Sequence, residues 1–308
     1  MQLLKQLTGI RSASGDEGKM KQFLLNYVNE NQNSWKVKPS IFEGGYFQDN
    51  LILVFGNQPK TAIYAHTDSI GFTVGYDREL IKVGGPKLID GIELVGSDSQ
   101  GEIEAELVVI EELDNFKRIE YVYERPIERG TYLTFKPNFI ETENYVESPY
   151  MDNRLGVWNA LKVAESLENG AIVFSTYEEH GGNSVGFISR FLFEKYGIYQ
   201  ALISDITWVT DGVQHEKGVA ISMRDSGIPR RSFLNRIIEL AKESGVKFQL
   251  EVESAGGSDG GMMQKSSVPI DWCFIGAAED NVHSPNERVA KIDIVHMVEL
   301  YNYLMKNL

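Results

Sequence analysis

Short apolar runs of strand length, alternating with stretches of helical periodicity, constrain this chain more than any other feature. Leu51–Phe55, Thr61–Ala65 and Ala171–Thr176 are almost continuous in apolar residues, which suits strands covered on both faces. Gln200–Ile206, Gly218–Arg224, Lys247–Glu253 and Pro269–Gly276 read as further strands. Leu155–Leu167, Ser184–Phe193, Ser232–Ser244 and about Ile292–Lys306 carry apolar residues at helical spacing. The first thirty residues add a helix entered from a turn, with Ser12, Ser14, Gly15 and Asp16 ahead of Met20, Phe23, Leu24 and Val28. Strands alternating with helices predict an α/β fold, a mostly parallel sheet sandwiched by helices.

The rhythm breaks between residues 72 and 148. EIEAELVVIEEL, RIEYVYE and TYLTFKP alternate in hydrophobicity and are separated by Gly, Pro, Asp and Asn. That is the texture of short strands and turns. The expected organisation is one α/β domain, residues 1–71 and 149–308, interrupted by an all-β insert, 72–148.

Composition narrows the partners. With 308 residues the chain can bury a full core without disulfides or a structural metal. Lys+Arg 30 against Asp+Glu 44 gives a net charge of −14, which repels phosphate backbones and anionic lipid. Nucleic acid and membranes are therefore not expected partners, and no apolar run has the length of a membrane span. The single cysteine, Cys273, sits in the apolar run Ile270–Ile275 and reads as a buried, inert thiol. One cysteine and no targeting signal at the N-terminus predict a cytoplasmic protein.

The chemistry is expected where predicted strands end, because ligand sites of open α/β sheets lie beyond the strands' carboxyl ends. His66, in AHTDSIG, closes one apolar strand, and Asp68 follows two residues later to hold the ring's other nitrogen. Asp152, in YMDNRLG, precedes a helix, where an N-cap is the ordinary alternative role. Glu178 and Glu179, in STYEEHGG, follow another apolar strand; a ligand and a general base would divide such a pair. Asp205, in SDIT, and His283, in VHSPNERV, complete the set. Two histidines, several carboxylates and no cysteine suit two divalent ions, zinc first, with cobalt or manganese as alternatives. His215 and His296 read as surface or structural residues.

These five motifs, in this order from residue 66 to 290, resemble those of the dinuclear-metal aminopeptidases that include tetrahedral, deblocking and glutamyl aminopeptidases. SASGDE near the start resembles that family's opening turn, and the insert between His66 and Asp152 resembles its β-barrel domain. The resemblance implies that Asp152 bridges two metals, that His66 and Asp205 complete one site, and that Glu179 and His283 complete the other. It implies Glu178 as general base and Asp68 as the residue orienting His66. It further implies peptide substrates and self-association into dimers or larger closed shells. The loop after Glu179 departs from the family pattern, with His180 followed by GGNSVG, one residue longer than usual. SAGGSDGGMM lacks the Gly-Lys-Ser/Thr of a phosphate loop and instead resembles the family's Gly-rich segment beside the substrate. His180 and Asp259 are thus candidate substrate contacts. Two other readings stay open: a deacylase or carboxypeptidase-like amidohydrolase on the same centre, and a non-catalytic scaffold.

Overall fold

Alternation within single strands sets the layers of the main domain. Along Leu51–Phe55, Leu51, Leu53 and Phe55 pack into one apolar cluster while Ile52 and Val54 pack into another, on the opposite face. The helices Gln2–Thr8, Gly18–Asn31, Met151–Ala164, Arg231–Ser244 and Lys291–Asn307 supply the first cluster. Ser184–Tyr196 and Asp259–Gln264 supply the second. The computed structural model describes residues 1–111, 117–182 and 184–308.

Eleven strands form the large sheet, and four at its centre run parallel: Gly170–Ser175, Thr61–His66, Gln200–Trp208 and Asp271–Asp280. Their carboxyl ends therefore share one edge. Ser40–Glu43 and Leu51–Phe55 extend the sheet antiparallel on one side, and Glu287–Ala290 does so on the other. Val219–Ser222 pairs with both Asp271–Asp280 and Phe248–Glu251. The sheet is thus mixed, parallel where its loops converge and antiparallel at its flanks.

A second sheet takes six strands from between Gly71 and Phe135. Its order is Leu80–Val83, Gly71–Val74, Tyr132–Phe135, Glu93–Asp98, Gly101–Glu111 and Lys117–Val122, all antiparallel. The outer strands approach each other: Tyr121 N–H donates to the Arg78 carbonyl at 3.1 Å, and Glu79 bridges to Glu120. The sheet is nearly closed into a barrel around Phe72, Leu94, Leu107, Leu133 and Phe135.

Some elements differ from the sequence reading. Ile140–Glu141 and Tyr145–Ser148, within the stretch assigned to the insert, pair with Glu287–Ala290 at the edge of the large sheet. Two and four residues long, with acids between the apolar positions, they carry no run that would mark them. Gln2–Thr8 is a separate seven-residue helix burying Leu4 and Leu7, too short for its periodicity to register. Among the described residues no helix is long and apolar enough to cross a membrane.

Candidate metal centre

His66 is the last residue of its strand, and Asp205 lies within the parallel neighbour Gln200–Trp208, which runs two residues further than the sequence reading. Each stands two residues beyond the pair Tyr64–Ile203, so parallel pairing brings both to the same level. Asp152 arrives differently. Tyr150 takes a left-handed conformation (φ 67°), anchored by its hydroxyl on the Phe135 carbonyl at 3.1 Å and by its ring stacked on Phe135. The Asp152–Asn153 peptide is cis, and neither residue has helical angles, so Asp152 stands ahead of the regular helix. Its carboxylate faces two imidazoles: Oδ1 lies 3.1 Å from His66 Nε2, and Oδ2 lies 3.3 Å from His283 Nε2.

Glu178 and Glu179 follow Tyr177, another left-handed residue (φ 65°), and His283 itself has φ 64°. Among the described residues, three of the eight non-glycine residues with positive φ therefore sit at this one place. Such conformations cost energy and persist where surrounding contacts over-determine them. His283 Nε2 lies 3.2 Å from Glu179 Oε2, and His66 Nε2 lies 3.6 Å from Asp205 and 3.9 Å from Glu178. One donor atom each from His66, Asp152 and Asp205 lies within 4.8 Å of the others, and so it is for Asp152, Glu179 and His283.

Both imidazoles are oriented from behind. His66 Nδ1 donates to the Asp68 carbonyl at 3.2 Å, and His283 Nδ1 donates to the Gly85 carbonyl at 3.2 Å. Each ring thus presents Nε2 to the shared Asp152. Gly85 belongs to the loop after the barrel strand Leu80–Val83, so the second domain helps to build the centre. Buried Asp68 accepts the N–H groups of Glu178 and Glu179, each at 3.1 Å, and the Ser14 hydroxyl at 2.6 Å. Buried Glu17 accepts the preceding amide, Tyr177 N–H, at 3.3 Å. Three successive amides of the turn carrying the glutamate pair therefore end on carboxylates.

Sequence reasoning missed several of these supports. Glu287, fully buried, accepts Asp152 N–H at 3.2 Å and His283 N–H at 2.8 Å, tying two segments together. Arg154, also fully buried, donates to the carbonyls of Thr67, Asp68 and Ile10. Both residues stand inside motifs already singled out, beside residues that drew the attention. Ser14 and Glu17 sit in the SASGDE turn. Conversely, His180 does not line the cavity at the centre; its Nδ1 accepts Gly84 N–H at 3.3 Å on the barrel side. Asp259 is buried behind the centre, with Oδ2 accepting the Ser175 hydroxyl at 2.6 Å, and does not line the cavity either.

The electrostatics suit a bound cation. Burial raises the Glu178 carboxyl well above the usual range; His66 offsets part of that, and Glu179 and Asp205 add to it. Burial likewise raises Asp205. Burial would also raise Asp152, but His283 and His66 outweigh it and hold Asp152 low. Burial would lower His283, but Asp152 and Glu179 push it up to about 11. Glu179 Oε1 is buried without a hydrogen-bond partner. Concentrated carboxylates, paired imidazoles and an orphaned buried oxygen form a donor set that could hold divalent metal. Both donor sets and Glu178 line one cavity of about 240 Å³.

Known proteins resemble this chain in sequence and in fold. The profile of the M42 glutamyl aminopeptidase family matches residues 97–300. A relative from Acetivibrio thermocellus, named as a candidate aminopeptidase, is 26% identical over 97% of this chain and 96% of its own length. An aminopeptidase from the archaeon Desulfurococcus kamchatkensis superposes with a TM-score of 0.87 at 19% identity, covering 100% of this chain and 94% of that one. The TET1 peptidase of Pyrococcus horikoshii, which can assemble into a tetrahedron or a large octahedral shell, gives 0.81 at 20% identity, covering 98% of each chain.

Proposed function

The chain belongs to the M42 glutamyl aminopeptidase family, and on that premise we propose that it removes N-terminal residues from peptides at a centre of two divalent ions. The observation that carries the reading is the pair of donor sets sharing Asp152, with Glu178 in the same cavity. His66, Asp152 and Asp205 would hold one ion, and Asp152, Glu179 and His283 the other. Imidazole and carboxylate donors favour zinc, with cobalt or manganese able to substitute. Bound there, the ions would supply Lewis acidity to a water and to the scissile carbonyl.

The protein's own groups do the rest. Glu178 takes a proton from the attacking water and returns it to the leaving amine. A carboxyl raised by burial holds a proton more readily than an ordinary one, which suits a group that must take it and then give it up. Asp68 keeps the Glu178–Glu179 turn and the His66 ring in place. The cavity's carboxylates favour a free α-ammonium, which directs cleavage to the first residue. Self-association and an intracellular place of action are part of the same proposal.

Mass spectrometry of peptides with free and acetylated N-termini, with and without chelator, tests the activity. Stepwise, chelator-sensitive loss of residues from free peptides alone is expected. Cleavage of acetylated peptides only would overturn the reading in favour of a deacylase. Glu178→Gln should retain its metal while kcat falls by about 10²–10⁴-fold; a variant cleaving at the wild-type rate would remove Glu178 from the role.

A further inference from the structure

Besides the two donor sets and Glu178, the same cavity is lined by residues that have no part in the chemistry above. Asp225, Glu251 and Glu253 stand there with Ile206, Trp208 and Phe274. Asp225 is 8% exposed and Glu251 4%. Their side-chain partners are uncharged: Gly227 N–H at 2.5 Å and the Ser258 hydroxyl at 3.4 Å for Asp225, and the Thr207 hydroxyl for Glu251. Burial pushes both carboxyls up, as expected where the donors are neutral. Among the described residues no lysine or arginine lines the cavity. Arg224, next in sequence, directs its Nε to the Asp225 backbone carbonyl at 3.2 Å. Asp225, Glu251 and Glu253 thus line the same cavity as both donor sets, without a cation of their own there.

We propose that this part of the cavity lining receives the side chain of the substrate's N-terminal residue and selects a cationic one, lysine or arginine. The inference rests on the aminopeptidase reading and names the substrate class for it. A lysine or arginine side chain is an apolar stem with a charge at its tip. Its stem meets Ile206, Trp208 and Phe274, and its charge meets three carboxylates that have no cation of their own in the cavity. An N-terminal glutamate would instead bring a further like charge into the cavity. On this account the chain does not share the preference in its family's name.

The test compares peptides differing only in the first residue: lysine, arginine, norleucine, leucine and glutamate. Norleucine keeps the lysine stem without the charge. Lysine and arginine should exceed norleucine in kcat/KM by about 10-fold or more, and glutamate by about 10³-fold. Glu251→Gln and Asp225→Asn should each lower the lysine-to-norleucine ratio several-fold. Glu253→Gln, at a more exposed position, gives the same readout if a buried variant fails to fold. Calorimetry with lysinamide and norleucinamide reads the preference without turnover, and tighter lysinamide binding is expected. Equal rates for lysine and norleucine would mean that the acids hold only the α-ammonium, and the proposal fails with the aminopeptidase intact. Hydrolysis of no peptide at all sinks the aminopeptidase reading, while the two amides still decide whether the cavity prefers a cation.

Discussion

The two halves of the centre have the same kinds of donor but different foundations. The His66 half is set on the sheet: His66 and Asp205 belong to parallel strands, and the His66 side chain is 2% exposed. The His283 half is set on loops. Its imidazole is 28% exposed, its backbone is left-handed, and its orientation depends on Gly85 from the barrel and Glu287 from the sheet edge. Strand-borne ligands inherit the rigidity of the core, whereas loop-borne ligands need dedicated props. On the proposed reading, the strand-borne half should tolerate the loss of a prop better than the loop-borne half.

Substitutions can break that comparison. Asp152→Asn, which weakens both halves at once, should lower kcat by about 10³-fold or more and leave less than one metal per chain; two retained ions by elemental analysis would refute the bridging role. Asp68→Asn turns a donor toward an N–H of the Glu178–Glu179 turn and removes the charge of the carboxylate whose Oδ1 lies 3.4 Å from His66 Nδ1. It should weaken both ions about 10- to 100-fold in metal titration. Glu287→Gln should weaken the His283 half by about 10-fold or more, because it disturbs the props of both His283 and Asp152, and the His66 half, which shares only Asp152, by distinctly less. Equal weakening of both ions would erase the proposed asymmetry.

The smallest effect concerns the prop behind the turn. Burial raises the Glu17 carboxyl to about 7 from an ordinary 4.5. The folded chain then holds a proton that the unfolded chain has released, so this group's contribution falls as pH rises from 4.5 through 7. Thermal melts of the metal-free protein should show Glu17→Gln losing less stability than wild type between pH 5 and 8, by a few degrees in Tm. Parallel losses would show that Glu17 does not titrate in that window.

How far the sequence could be read follows the same division. His66 and Asp205 were legible because an apolar run ending in a polar residue has few meanings in a buried sheet. Asp152 was ambiguous, since an acid before a helix is ordinarily a cap, and only its position between two imidazoles separates the roles. Glu287, Arg154 and Glu17 were illegible as supports. Each acts on backbone N–H or carbonyl groups distant in sequence, and no spacing rule records such a contact. His180 and Asp259 show the converse: suggestive neighbours in sequence whose side chains are bonded elsewhere. The strands Ile140–Glu141 and Tyr145–Ser148 lie beside the barrel in sequence but belong to the large sheet, through pairing with residues near 288.

Glu287 clamps the amides of Asp152 and His283, and so links the middle of the chain to a segment made much later. A ribosome-bound chain that has not reached residue 283 holds His66, Asp152, Glu178, Glu179 and Asp205, but neither the second imidazole nor its clamp. A hydrolase that attacks free amino termini is thereby kept unfinished during most of its own synthesis, when unfolded termini are closest at hand.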